Sequence, residues 1–237
     1  GTYTVTGEGV WGSIAPVIIN KSGGLADTII NRSASFATAT GTVAQYSLAL
    51  RKGVLRQQVT GATLSLSYGA TSVQMQSFTG FDVWAGSILS SSSLISNVNT
   101  TIRLNGGTFR VGDGADEHLS YKTGTTIDIQ SGDLIVAGCL MRDATPSTVT
   151  FLMSTAGTVR VLTQGNTDPA KIGFDISNSA SLFSMTGGRL IVASGTSGAN
   201  ADYNVSAAGG TGMTGGVLQT GDSIQTTPGT NIRVVGT

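Results

Sequence analysis

The sequence predicts an all-β chain wound as a parallel β-helix, or β-solenoid. Three observations carry the prediction. A short glycine-marked phrase repeats along the chain, its copies fall at a near-constant interval, and the composition is rich in small residues and poor in charge. Internal repeats of this length decide architecture before other signals do.

The phrase reads apolar-x-apolar, two small polar residues, Gly, x, apolar, x, apolar. Clear copies are Ile102 to Gly112, Ile127 to Gly138 and Phe183 to Ala193. Phe151 to Val161 is a degenerate copy with one extra residue. Gly107, Gly132 and Gly157 recur at intervals of 25, followed more loosely by Gly188 and Gly216. One solenoid coil needs a few short strands and tight turns, so roughly 20–30 residues fit. The fixed glycine suits a sharp bend with positive φ. The apolar pairs on either side are expected to stack on their equivalents in adjacent coils, and the unequal spacing to reflect loops leaving one corner.

Composition agrees. Of 237 residues, only 11% are charged, and glycine supplies 34. Disorder requires low hydrophobicity and high net charge; here 39% of residues are hydrophobic and the net charge is zero. Balanced charge argues against nucleic acid as a partner, because phosphate contacts need clustered Lys and Arg. The basic cluster from Arg51 to Arg56 reads as a solvated turn. Near-zero charge also weakens self-repulsion and favours association. With one cysteine, Cys139, no intrachain disulfide forms, and Cys139 reads as a small buried hydrophobe. No stretch reaches the roughly 18 apolar residues of a membrane span, so membrane insertion is not expected. The first residue is Gly rather than Met, which raises the expectation of a processed N-terminus.

Strand-like runs follow one another from end to end, separated by Gly, Ser, Thr and Asn turns. In order they include Thr2–Thr6, Val17–Ile19, Thr28–Ile30, Thr63–Ser67, Ser72–Gln76, Thr125–Ile129, Thr148–Phe151, Thr158–Val161, Lys171–Ile176 and Ile232–Val235. Most alternate apolar with polar, as a strand with one buried face does. Val43 to Arg56 is the best helix candidate, yet its alternation and β-branched flanks favour strand. The chain is expected to form one elongated domain over residues 1–237. Residues 1–93, which repeat less cleanly, form an irregular or capping part, and 94–237 the regular solenoid, with Ser90–Ser93 as the boundary. A β-sandwich or jelly roll is the alternative, since Asn-Gly, Ser-Gly and Gly-Gly are also hairpin turns.

Residues Thr101 to Gly112 and Met185 to Ala193 resemble the autotransporter-associated β-strand repeat of secreted bacterial surface proteins, over roughly residues 100–220. That resemblance implies a right-handed parallel β-helix displayed outside the cell in adhesion or surface structure. The chain departs from the family in showing no C-terminal membrane barrel.

Candidate chemistry is sparse, and neither catalytic nor cofactor-binding nor metal-ligating residues are assigned. The densest polar cluster, Asp113, Asp116, Glu117 and His118, offers oxygen ligands of the kind Ca²⁺ takes, but its spacing matches neither an EF-hand loop nor a nonapeptide Ca²⁺ repeat and it reads as a solvated corner insertion. A polysaccharide-degrading β-helix needs carboxylates grouped on one face; Asp128, Asp133 and Asp175 are the candidates, and alternation points Asp128 outward. A phosphate loop at Gly209 to Gly216 lacks its Lys and following helix. Trp11, Trp84, Phe78 and Phe81 are read as core packing rather than sugar platforms. Sequons at Asn20, Asn31, Asn99 and Asn204 permit N-glycosylation in a suitable host.

The expected function is structural. Both ends are strand-like without capping helices, and exposed edges template pairing with another chain. An extracellular or surface protein that associates with copies of itself into a fibre, sheath or layer is anticipated. A glycan-binding adhesin or phage-fibre module is the alternative, and a polysaccharide-degrading enzyme a further one. Flat ice-binding threonine rows are disfavoured, because Thr-x-Thr does not recur at a fixed place.

Overall fold

The computed structural model describes residues 2–5, 9–11, 17–31, 36–38, 48–66, 72–114, 116–163, 171–193, 202–221 and 234–236. Every strand pairing among them is parallel, and the strands stack as a β-solenoid of about six turns. Parallel pairing between consecutive phrases excludes the hairpin-built sandwich.

Each regular coil contributes three faces. The glycine phrase is not two strands split by a turn. It is one long strand bent through a corner, as in Thr101–Val111, Thr125–Val136, Val149–Val161, Leu182–Val192 and Gly209–Thr220. The half before the glycine lies on the first face and the half after it on the second. In the preceding coil the same two halves are separate strands, Thr79–Val83 and Ser87–Ser90, which pair with the two ends of Thr101–Val111. Short strands make the third face: Ser72–Met75, Ser93–Ser96, Leu119–Tyr121, Leu140–Arg142, Phe174–Ile176, Tyr203–Val205 and Val234–Gly236.

The corner explains the glycines. Gly132 has φ +81, and a Cβ there would lie 2.4 Å from the Gly107 carbonyl oxygen of the coil before it. Only glycine allows both the left-handed backbone and that approach. Register pairs Gly132 with Gly157. The extra residue of the degenerate copy is taken up as a register shift opposite Ile129–Ser131.

Alternation sends every second side chain inward, where equivalents stack. On the first face Leu55, Phe81, Ile102, Ile127, Phe151 and Phe183 form one ladder. On the second, Leu64, Ile88, Phe109, Leu134, Val159 and Leu190 form another. All are buried. Near the C-terminal coils the filling turns aromatic. Phe151 and Phe174 meet edge to face at 5.2 Å, Phe151 stacks on Phe183 at 5.5 Å, and Phe174 stacks on Tyr203 at 5.5 Å. Each such pair adds about 0.5–1.5 kcal/mol beyond its buried area.

The less regular N-terminal part carries the same rungs. Thr2–Val5, Thr28–Asn31, the second half of Leu48–Gln57 and Thr79–Val83 succeed one another on the first face. Leu48–Gln57 is strand, not helix; residues 43–47 of that candidate lie outside the described residues. The basic cluster is therefore not a turn: Arg51 and Lys52 are exposed on this strand, and Arg56 is half-buried. Ser90 ends one strand and pairs with Leu66 and Val111 of the coils on either side, and Ser93 opens the next strand opposite Ser72. Connections of unequal length leave two corners rather than one: Gly112–His118 and the links after Val161 and Val192 lead to the third face, Asp143–Thr148 and Ser177–Ser181 back to the first.

Candidate functional site

The exterior of the first face concentrates the distinctive side chains. Successive rungs place Arg56 against Asp82, Asp82 against Arg103, and Arg103 against Asp128. Charge thus alternates along the axis. Arg56 reaches Asp82 at 2.7 Å and Arg103 reaches Asp128 at 3.3 Å. Asp128 does point outward, as alternation required. Opposite charges on neighbouring strands stabilise a sheet by tenths of a kcal/mol each.

Asp82 is the hub of this row. Its side chain is only 3% exposed. It accepts hydrogen bonds from Arg56 Nε at 2.8 Å, the Trp84 indole N–H at 3.0 Å and Asn105 Nδ2 at 3.2 Å. The Arg56 guanidinium also sits 4.4 Å from the Trp84 ring centre. Trp84 is 47% exposed and Phe78 49% exposed, which corrects their assignment to the core. Phe81 is buried, edge to face with Phe109 at 5.6 Å. Trp11 has no described side chain. Alternation held the signal: in Phe81-Asp-Val-Trp84, Trp84 shares the outward parity of Asp82.

Further along the same face a shallow groove of about 440 Å³ is lined by Asp128, Gln130, Leu152, Met153, Ser154, Ser184 and Thr186. Gln130 Nε2 donates to Asp128 at 3.2 Å and Ser154 Oγ to the Gln130 carbonyl at 3.0 Å.

The three candidate carboxylates are not brought together. Asp128 lies on the first face, Asp133 on the second opposite Thr108 and Thr158, and Asp175 on the third. Asp175 is 5% exposed and paired with Arg142 at 3.1 Å, and its second oxygen accepts the Ser177 N–H. The Tyr121 hydroxyl donates to the Asp175 carbonyl at 2.8 Å. Burial, reinforced by the Asp175 charge and opposed by Arg142, pushes the Tyr121 hydroxyl far above its ordinary value. Burial alone raises Tyr203 to about 12.

At the acidic corner Asp113 and Asp116 are exposed and Glu117 is half-buried, and their charges meet groups of the protein itself. Glu117 Oε2 accepts the backbone N–H groups of Asp113 and Gly114 at 2.6 Å each. Asp116 faces Lys171 at 3.8 Å and His118 at 3.9 Å. His118 is buried rather than solvated. Its Nδ1 accepts the Cys139 N–H at 2.9 Å, and its Nε2 lies 3.0 Å from Lys171 Nζ. Cys139 is buried. Among the described residues no group of three or more His, Cys, Asp or Glu is arranged to hold a metal ion, and no helix is long and apolar enough to cross a membrane.

The end coils present a third feature. Gly209–Thr220 pairs with Leu182–Val192 on one side; among the described residues no strand pairs with its other edge. Thr2–Val5, Gly9–Trp11 and Val17–Asn20 at the opposite end likewise pair on one side. The class the fold defines is therefore a parallel β-solenoid with a polar, aromatic-ended stripe on one face. Comparison with protein-family models, curated proteins and solved structures yields no match for this chain.

Proposed function

We propose that this chain is a non-enzymatic structural protein of the extracellular space or cell surface, whose copies join end to end into a fibre, sheath or layer. One observation carries it. Met185 and Met213 occupy the same core ladder on successive rungs, yet Met185 is fully buried and Met213 is 44% exposed. Leu218, the inward position opposite the buried Leu190, is only partly buried, and Val217 on the exterior row opposite Arg189 is 49% exposed. A further rung laid on Gly209–Thr220 would cover Met213 and pair with the edge that no described strand occupies. Completing the burial of half-exposed side chains contributes roughly 1 kcal/mol each, beside a full set of inter-strand hydrogen bonds.

The geometry favours head-to-tail joining. Strands at both ends run parallel to the rest, so the first coil of one copy has the polarity of the rung missing from another. Such a contact is heterologous and extends without closing. Zero net charge lowers the long-range repulsion that would oppose it. The resemblance of the glycine phrases to surface-protein repeats supports an extracellular setting. The degrading-enzyme reading draws no support from Asp128, Asp133 and Asp175, which lie on separate faces.

Size-exclusion chromatography and negative-stain electron microscopy at neutral pH test this. Filaments or a ladder of oligomers are expected, and their loss in Met213→Lys/Val217→Lys with an unchanged melting curve. A monodisperse monomer without filaments would refute it.

A further inference from the structure

We propose that the exterior of the first face binds an extended, uncharged oligosaccharide lying along the solenoid axis, with Trp84 as its stacking platform. This surface is independent of the coil ends and of how copies associate.

Trp84 and Phe78 are the exposed aromatic rings among the described side chains, and Trp84 is the one held rigid. Its N–H is committed to Asp82, Arg56 covers one ring face, and Asp82 is in turn fixed by Arg56 and Asn105. The exposed area therefore belongs to the opposite ring face and outer edge. A ring already locked by its neighbours loses little further freedom on binding, which is what makes an exposed aromatic an effective platform. Its flat apolar surface suits the C–H face of a pyranose.

The rungs beyond continue the site with groups that recognise sugar hydroxyls. Asp82 and Asp128 share one exterior row through Arg103. Trp84 and Gln130 each stand two residues past those aspartates, on the same corner. Asn105, Gln130, Ser154 and Thr186 then follow one another down that corner, with Ser154 bonded to the Gln130 carbonyl and Thr186 to the Met153 carbonyl. With their protons given to carbonyls, Ser154 and Thr186 offer acceptor lone pairs, and the Asn105 and Gln130 amides, each with one N–H on an aspartate, add a second N–H and a carbonyl oxygen. Neighbouring rungs are about 4.8 Å apart, close to the advance of one pyranose in an extended chain. One sugar per coil is commensurate, and five rungs span about 19 Å.

Charge selects the ligand class. The row's arginines and aspartates alternate and pair, leaving no single-sign field to draw in a polyanion. A neutral glycan meets no electrostatic penalty there.

Isothermal titration of the full chain with cellohexaose, chitohexaose and a heparin hexasaccharide tests the assignment. Saturable binding of at least one neutral hexamer is expected, tighter than that of its disaccharide. Trp84→Ala should weaken binding about tenfold or more, while Trp84→Phe retains part of it and Gln130→Ala loses less. Phe78→Ala, at the far edge of the same face, should leave it unchanged. Circular dichroism melts confirm that each variant is folded. Absence of saturable binding to both neutral hexamers, preference for heparin, equal affinity for dimer and hexamer, or an unaffected Trp84→Ala variant each overturns the proposal.

Discussion

Replacing Gly132 by Ala tests the stacked corner directly. The backbone there is left-handed at φ +81, and an added Cβ would meet the Gly107 oxygen at 2.4 Å and the Gly106 carbonyl carbon at 2.6 Å. Both are main-chain atoms of a neighbouring rung, so neither withdraws without disturbing its own ladder. The left-handed conformation costs an L-residue roughly 1–2 kcal/mol, and forcing the rungs apart adds about 1–3 kcal/mol. The total is roughly 2–5 kcal/mol. Gly61 supplies the control, because it has φ +76 and nothing within 4 Å of its added Cβ. Gly61→Ala carries the conformational cost alone, partly offset by a stiffer unfolded chain, and should lose about 1 kcal/mol. At about 2–4 °C per kcal/mol for a chain of this size, thermal melts followed by circular dichroism should fall by roughly 5–15 °C for Gly132→Ala and about 3 °C for Gly61→Ala. Equal falls in the two variants would show that the corner is not close-packed and would undo the explanation of the repeat.

Two more outcomes follow from buried polar groups. Stability should decline as pH rises above 10: the unfolded tyrosines ionise near 10, whereas Tyr203 holds its proton to about 12 and Tyr121 beyond that, chiefly through burial. Below 10 both states are protonated and the contribution is whole; above it the unfolded state ionises first, and Tyr203 alone forfeits roughly 2 kcal/mol by pH 12. Alkaline melts with phenolate absorbance should show the decline, and Tyr203→Phe should flatten it; a pH-independent melting temperature up to 12 contradicts this. His118→Ala strips the Cys139 N–H of its acceptor and should cost about 1–3 kcal/mol in urea unfolding, while His118→Asn, which offers an amide oxygen near the Nδ1 position, should recover part of the loss. Equal destabilisation by both replacements would show that the acceptor is not what His118 contributes.

Legibility in this chain follows coil length. Where coils repeat at equal intervals, position in the phrase fixes each residue's neighbours, and the inward ladders through Ile102, Ile127 and Phe151 are readable from parity and period alone. The glycines are readable for the same reason, since only the corner demands a left-handed backbone under a neighbouring carbonyl. Polar partners escape this logic. Arg142 and Asp175 are 33 residues apart, and Lys171 and His118 are 53 apart, because unequal connections between the second and third faces break the count. Outside the clearest copies the phrase itself fades. Thr79–Val83 and Ser87–Ser90 build the same corner as two strands, with Trp84 and Ala85 in place of the small polar pair, so the platform sits where the repeat is weakest. A solenoid conserves its interior pattern to stay stacked and is free to vary its exterior rungs one coil at a time. The departure at Trp84 is thus where recognition can be added at least cost to the fold, since its indole, Asp82 and Arg56 all lie outside the ladders that hold the coils together.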